Sequence, residues 1–240
     1  MSAMWTIAKK EYQLAMRSVA TYIVFTLFLV VSGVLFSSVV FKVGLAELRS
    51  LFEILQVVFV FYVPAITMGC IARERQSGTL ELLSTMPIRL SDIIWGKILA
   101  CLLQLLAMLA STLVFLVIIM IFGEGIDYGA IICGYLGLIL AGTAYIAIGV
   151  FASSLPSNQI LAFVLALIIC AALYVIKYLV ALAPLGLVVP LQFISFDYHL
   201  SSFLKGVIDT RDILFFVAIT VIFALLAEFN LQSRNLMQER

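Results

Sequence analysis

RERQSGTLELLSTMPIRLSDIIWGK, residues 73–97, is the longest polar interruption in a 240-residue chain that is 65% hydrophobic and only 11% charged. Arg73, Glu74, Arg75, Glu81, Arg89, Asp92 and Lys97 all fall inside it. On each side lies an apolar run long enough to cross a bilayer. A polar stretch held between two spans is expected to form a docking surface, where a soluble partner delivers work to a membrane-embedded subunit.

The composition around this stretch sets the class. A soluble domain of this size carries roughly 25% charged residues. The shortfall is explained by repeated apolar runs of about 20 residues, the length that spans the hydrocarbon core as a helix. The expected fold is an all-α integral membrane protein of six transmembrane helices, forming one transmembrane domain over residues 1–240. A net charge of +1 gives no reason to expect nucleic acid. Cys70, Cys101, Cys133 and Cys170 lie far apart in or beside apolar segments, with no CxxC spacing. They read as small core residues, and the single histidine, His199, does not build a metal site with them.

Outward from the stretch toward the N-terminus, the second span covers residues 54–72. It contains Pro64, which removes a backbone hydrogen bond and should bend the helix. The first span covers 21–41. Residues 2–19 place Trp5, Ala8, Tyr12, Met16 and Val19 at helical spacing, with Lys9, Lys10, Gln13 and Arg17 opposite. This pattern predicts an amphipathic helix in the membrane interface, its cations available to lipid phosphates. A cleavable signal peptide is not expected, because the apolar run starts late and lacks a small-residue cleavage site.

Toward the C-terminus, the third span covers 98–122 and the fourth 130–152. The fourth carries Gly134, Gly137, Ala141, Gly142, Ala144 and Gly149. Small side chains let helix backbones approach closely in lipid, so this span is expected to be the central packing element. A polar turn at 153–158 leads to the fifth span, 159–183. Pro184, Gly186 and Pro190 break residues 184–212 into short re-entrant helices, and the sixth span covers 213–231. Six spans put both termini on one side. That side carries Lys9, Lys10, Arg17, Arg73, Arg75, Arg89, Lys97, Arg234 and Arg240, whereas the other carries only Lys42, Arg49, Lys205 and Arg211. The asymmetry predicts cytoplasmic termini in a bacterial-type inner membrane.

No enzymatic signature appears: there is no HExxH, no GxSxG and no phosphate loop, since Gly96-Lys97 lacks the upstream glycine. No acid pair lies mid-membrane, so the chain is not expected to be an enzyme or to hold a metal. Lys177 is the one charge well inside a span. It either lines a pathway or snorkels to the outer interface. In the organising stretch, Ser77-Gly78 ends the second span, residues 79–85 form a short helix with Leu80 and Leu83 on one face, and Pro87 stops it. Ser91 or Asp92 then caps the third span.

The run Ala72-Arg73-Glu74-Arg75-Gln76-Ser77-Gly78-Thr79-Leu80-Glu81-Leu82-Leu83, followed by Pro87 and Gly96-Lys97, resembles ABC-2 type transporter permeases. Two further runs, GYLGLILAGTAYIAIGVFASSLPSNQILAF (134–163) and FLKGVIDTRDILFF (203–216), are most similar to the gliding-motility-type branch. The resemblance implies a permease subunit, an exporter, that holds no cofactor itself and works with a separate ATP-binding cassette subunit carrying ATP and Mg. It implies a coupling region over 73–92, with Arg73, Glu74, Arg75, Gly78, Thr79, Leu80, Glu81, Leu82, Leu83, Pro87 and Arg89 docking the ATPase. The turn at 153–158 is a smaller second contact. A second permease copy or related chain completes the membrane part, and a membrane-anchored extracytoplasmic subunit is a candidate addition. Two rivals remain: a permease-like subunit that passes force to an external partner without moving substrate, and a secondary transporter. The latter lacks paired ionisable residues within its spans.

Overall fold

The structure, a computed structural model, describes residues 3–43, 48–79, 89–122 and 127–238. Every element among them is helical: α1 (Ala3–Met16), α2 (Val19–Val43), α3 (Leu48–Thr67), α4 (Ala72–Gln76), α5 (Leu90–Phe122), α6 (Tyr128–Ser154), α7 (Gln159–Leu182), α8 (Leu185–Ile194), α9 (Phe196–Leu204) and α10 (Thr210–Gln238). Six stretches are long and apolar enough to cross a membrane, namely α2, α3 with α4, α5, α6, α7 and α10. In a bilayer core every backbone group must be satisfied within its own segment, and helices do this. The even number brings the end of α10 back to the side on which α2 starts.

The small-residue span, α6, is the centre of the bundle. It packs against α3, α5, α7, α9 and α10, and 67% of its span window is buried, against 17% for α2 and for α7. Its glycines make this possible. A Cβ on Gly149 would overlap the Thr67 side chain, and one on Gly142 would sit 2.6 Å from Leu105. Tyr145, fully buried, stacks on Phe196 at 4.7 Å between centroids and so ties α9 to this centre.

The polar stretch starts and ends differently from the expected boundaries. α3 runs through Pro64 and stops at Thr67, where the Thr67 hydroxyl donates back to the Val63 carbonyl at 2.8 Å. After a turn the chain resumes as α4, so Arg73–Gln76 is helix packed on the bundle rather than loop. Gly78 follows at φ 71°, a left-handed conformation that glycine takes without a Cβ clash and that ends helices. The third span begins at Leu90 and not near 98, which places Ser91, Asp92 and Lys97 inside α5. Ser91 and Asp92 therefore do not precede the helix as caps; the Asp92 carboxylate instead faces the positive end of its first turn. Leu80, Glu81, Leu82, Leu83 and Pro87, and with them the short helix expected at 79–85, lie outside the described residues.

At the far end, residues 184–212 form the short helices α8 and α9. Pro184 precedes α8, which continues through Pro190. The Ser195 hydroxyl caps α9 by accepting from the Tyr198 amide at 3.4 Å.

Candidate functional site

The site is built where α1, the start of α2, the end of α3, α4 and α5 meet, at the end of the bundle that carries both termini. Gly96 is what allows α1 to lie on α5: a Cβ there would stand 2.9 Å from Ile7 Cγ2 and 3.0 Å from the Met4 carbonyl oxygen. The next residue, Lys97, is 2% exposed. Burying an ammonium with no partner is prohibitive in a low-dielectric setting, and two carboxylates from different elements meet it. Lys97 Nζ lies 2.7 Å from Glu74 Oε1 on α4 and 3.5 Å from Glu11 Oε1 on α1. One cation thus binds three helices, and the cluster carries one negative charge in excess.

α4 is fixed on its other side by the end of α6. The buried Ser153 hydroxyl accepts from the amides of Ile71 and Ala72, both at 3.1 Å, and donates to the Met68 carbonyl at 2.9 Å. Those groups are the ones left over where α3 stops and α4 begins, so a single side chain satisfies the break in the second span. Arg75 reaches the same corner, donating to the carbonyls of Leu155 at 3.0 Å and Pro156 at 3.3 Å. Asn230 of α10 closes the corner by donating to the Ser154 carbonyl and hydroxyl, each at 2.8 Å.

The structure therefore separates the expected docking residues into two groups. Glu74 and Arg75 are turned inward and hold the bundle together. Arg73, Gly78, Thr79 and Arg89 are exposed. Ser153 and Ser154, in the turn expected to offer a second contact, are fully buried and belong to the internal clamp. Glu11 was missed in the sequence, because nothing local distinguishes it from any other polar-face residue of an amphipathic helix. Lys97 was noticed only as part of a polar run.

The residue match with known families decides the identity. Residues 48–227 match the model of the ABC-2 family transporter protein, which spans about three quarters of the chain. The chain belongs to the ABC-2 transporter family. No curated protein matches it. ABC-2 membrane subunits are in general non-catalytic and work with an ATPase subunit, and this chain is a multi-pass membrane protein of the family. The matched region begins with α3 and takes in the α4 clamp, Lys97 and the whole of α6; α1 and Glu11 lie before it.

A second set of charged residues lies at the opposite end of this ABC-2 subunit. Lys177 Nζ is 3.4 Å from Asp197 Oδ1 and sits 4.2 Å and 5.2 Å from the ring centroids of Tyr174 and Tyr178. His199 is buried between α8, α9 and α10: Nε2–H donates to the Phe193 carbonyl at 3.0 Å, and Nδ1 lies 2.6 Å from Asp212 Oδ1. Phe215 stacks on its ring at 3.9 Å. The pairing of His199 with Asp212 was not anticipated: Asp212 lies in the first turn of α10 rather than in the preceding loop. The four cysteines are free thiols; Cys70 and Cys101 touch at 3.3 Å between sulfurs.

Proposed function

We propose that this chain is the membrane-spanning permease subunit of an ATP-driven exporter, and that ATP-derived work enters through residues 73–92. What supports this is the attachment of α4. It is the first part of that stretch, and Lys97, Ser153 and Arg75 tie it to α1, to α5 and to the turn between α6 and α7. Movement imposed on the exposed residues that follow α4 is delivered to those elements together, as a rigid-body displacement of packed helices requires. The excess of cations at this end supports a cytoplasmic location for it.

In this reading, Gly78, Thr79, Leu80, Glu81, Leu82, Leu83, Pro87 and Arg89 meet the ATPase, which carries ATP and Mg, while Arg73 lines the pocket beside Lys97. Glu74 and Arg75 transmit rather than dock. The sparsely buried spans α2 and α7 offer the faces for a second permease. A second reading, in which the subunit moves an external partner instead of a substrate, is favoured by α8, whose Val189 and Phe193 are 72% and 70% exposed.

The test is co-purification from native membranes with a nucleotide-hydrolysing subunit, repeated with Glu81→Lys. The expected result is loss of the associated ATPase with the permease still inserted. Unchanged association and unchanged hydrolysis would sink the docking assignment.

A further inference from the structure

The cluster around Lys97 lines a pocket of about 260 Å³, whose wall combines charged and apolar side chains. Arg73 and Lys10 both line it. Both are exposed, and neither makes an ion pair among the described residues. Glu11, 27% exposed and paired among the described residues by the long contact to Lys97, lines the pocket as well. Apolar lining comes from Ala20 and Val24 at the start of α2 and from Ala65 and Ile66 at the end of α3. Here the first span begins and the second one finishes, so this is the depth at which a bilayer passes from headgroups to acyl chains.

We propose that this pocket binds the headgroup of one phospholipid from the adjoining leaflet. The phosphate lies between Arg73 and Lys10, and the headgroup's own ammonium lies against Glu11. Four considerations lead to this ligand. Two unpaired cations facing one cavity are a site for a phosphate, which charge-assisted hydrogen bonds from a guanidinium hold well. The lining holds three cations, Lys10, Arg73 and Lys97, against two carboxylates, Glu11 and Glu74, so one phosphate charge brings it to neutrality; a second negative charge is disfavoured, and a headgroup carrying a primary ammonium is favoured. The volume is at the small end of ligand pockets, enough for a headgroup while the chains stay in the bilayer. The apolar mouth past Ala20 and Val24 leads those chains out. This assignment goes beyond the permease reading and does not depend on the ATPase.

The test uses the full-length chain, extracted in mild detergent and reconstituted into nanodiscs of phosphatidylcholine with traces of labelled phosphatidylethanolamine or phosphatidylglycerol. Native mass spectrometry counts retained lipid, and label proximity to the protein reports binding. Wild type is expected to retain one phosphatidylethanolamine per chain. Arg73→Gln with Lys10→Gln should weaken retention about tenfold or more, the scale of losing charge-assisted contacts. Ala20→Trp should do the same by blocking the mouth while leaving every charge in place, so loss of the fold in one variant does not decide the outcome. Retention equal to wild type in both variants would overturn the proposal. Preference for phosphatidylglycerol would overturn the role of Glu11. Displacement of the label by millimolar inorganic phosphate, with no lipid retained, would show a free-phosphate site instead and overturn the lipid assignment.

Discussion

The two ends of the molecule bury charge in opposite ways. At the end with the termini, Lys97 gathers carboxylates 23 and 86 residues away in sequence, so the pairing joins elements that are made far apart. At the far end, His199 and Asp212 are 13 residues apart and Lys177 and Asp197 are 20 apart, and aromatic rings surround both pairs. The first cluster is a fastening between separate helices. The second braces one local excursion, α8 and α9, against the spans on each side of it. Disturbing the first should change how α1, α4 and α5 move together, whereas disturbing the second should loosen only the re-entrant region.

The sharpest way to break this contrast is Lys97→Met. It leaves two carboxylates facing each other at a buried site, and removing one partner of a buried ion pair costs about 3 kcal/mol or more. The expected outcome is a large fall in the thermal midpoint of the detergent-solubilised protein, with partial recovery in Lys97→Met/Glu74→Gln. If the single variant melts like wild type, the fastening role is wrong. His199→Ala should come next, at about 2 kcal/mol, because Asp212 is left buried without its partner. Its mark is selective: hydrogen exchange should rise in α8 and α9 and stay unchanged around α4. Exchange rising equally at both ends would erase the distinction. Lys177→Met should be mildest, about 0.5 kcal/mol, since the pair is part-exposed and solvent-screened. A transport assay on the same variant asks whether Lys177 also faces the pathway, and unaltered transport would leave it a brace alone.

How much of this could be read beforehand follows from what each feature depends on. The six spans were legible because length and hydropathy are local properties, and a bilayer imposes both. The central place of α6 was legible because Gly134, Gly142 and Gly149 are costly unless another element lies against them. The boundaries of the polar stretch were harder to place. Lys97 looked like a residue that should remain outside a span, and nothing adjacent to it shows that Glu11 waits on another helix. Once paired, the lysine no longer limits where α5 begins. Ser153 shows the same difficulty: a serine before a Pro-containing turn reads as surface, yet its hydroxyl is consumed by the broken backbone at Ile71 and Ala72. His199 and Asp212 were separately visible, but their partnership required the chain to fold back through α9.

The seat of α1 on Gly96 also orders events in time. α1 is synthesised before α5, yet its resting place does not exist until α5 has been made and inserted some eighty residues later. Until then Glu11 has no lysine to meet, and the apolar side of α1 must wait on the membrane surface. Chains usually assemble from their beginning onward during synthesis. Here an early helix waits for a later one, so completion of this corner reports that α2, α3 and α5 have all arrived.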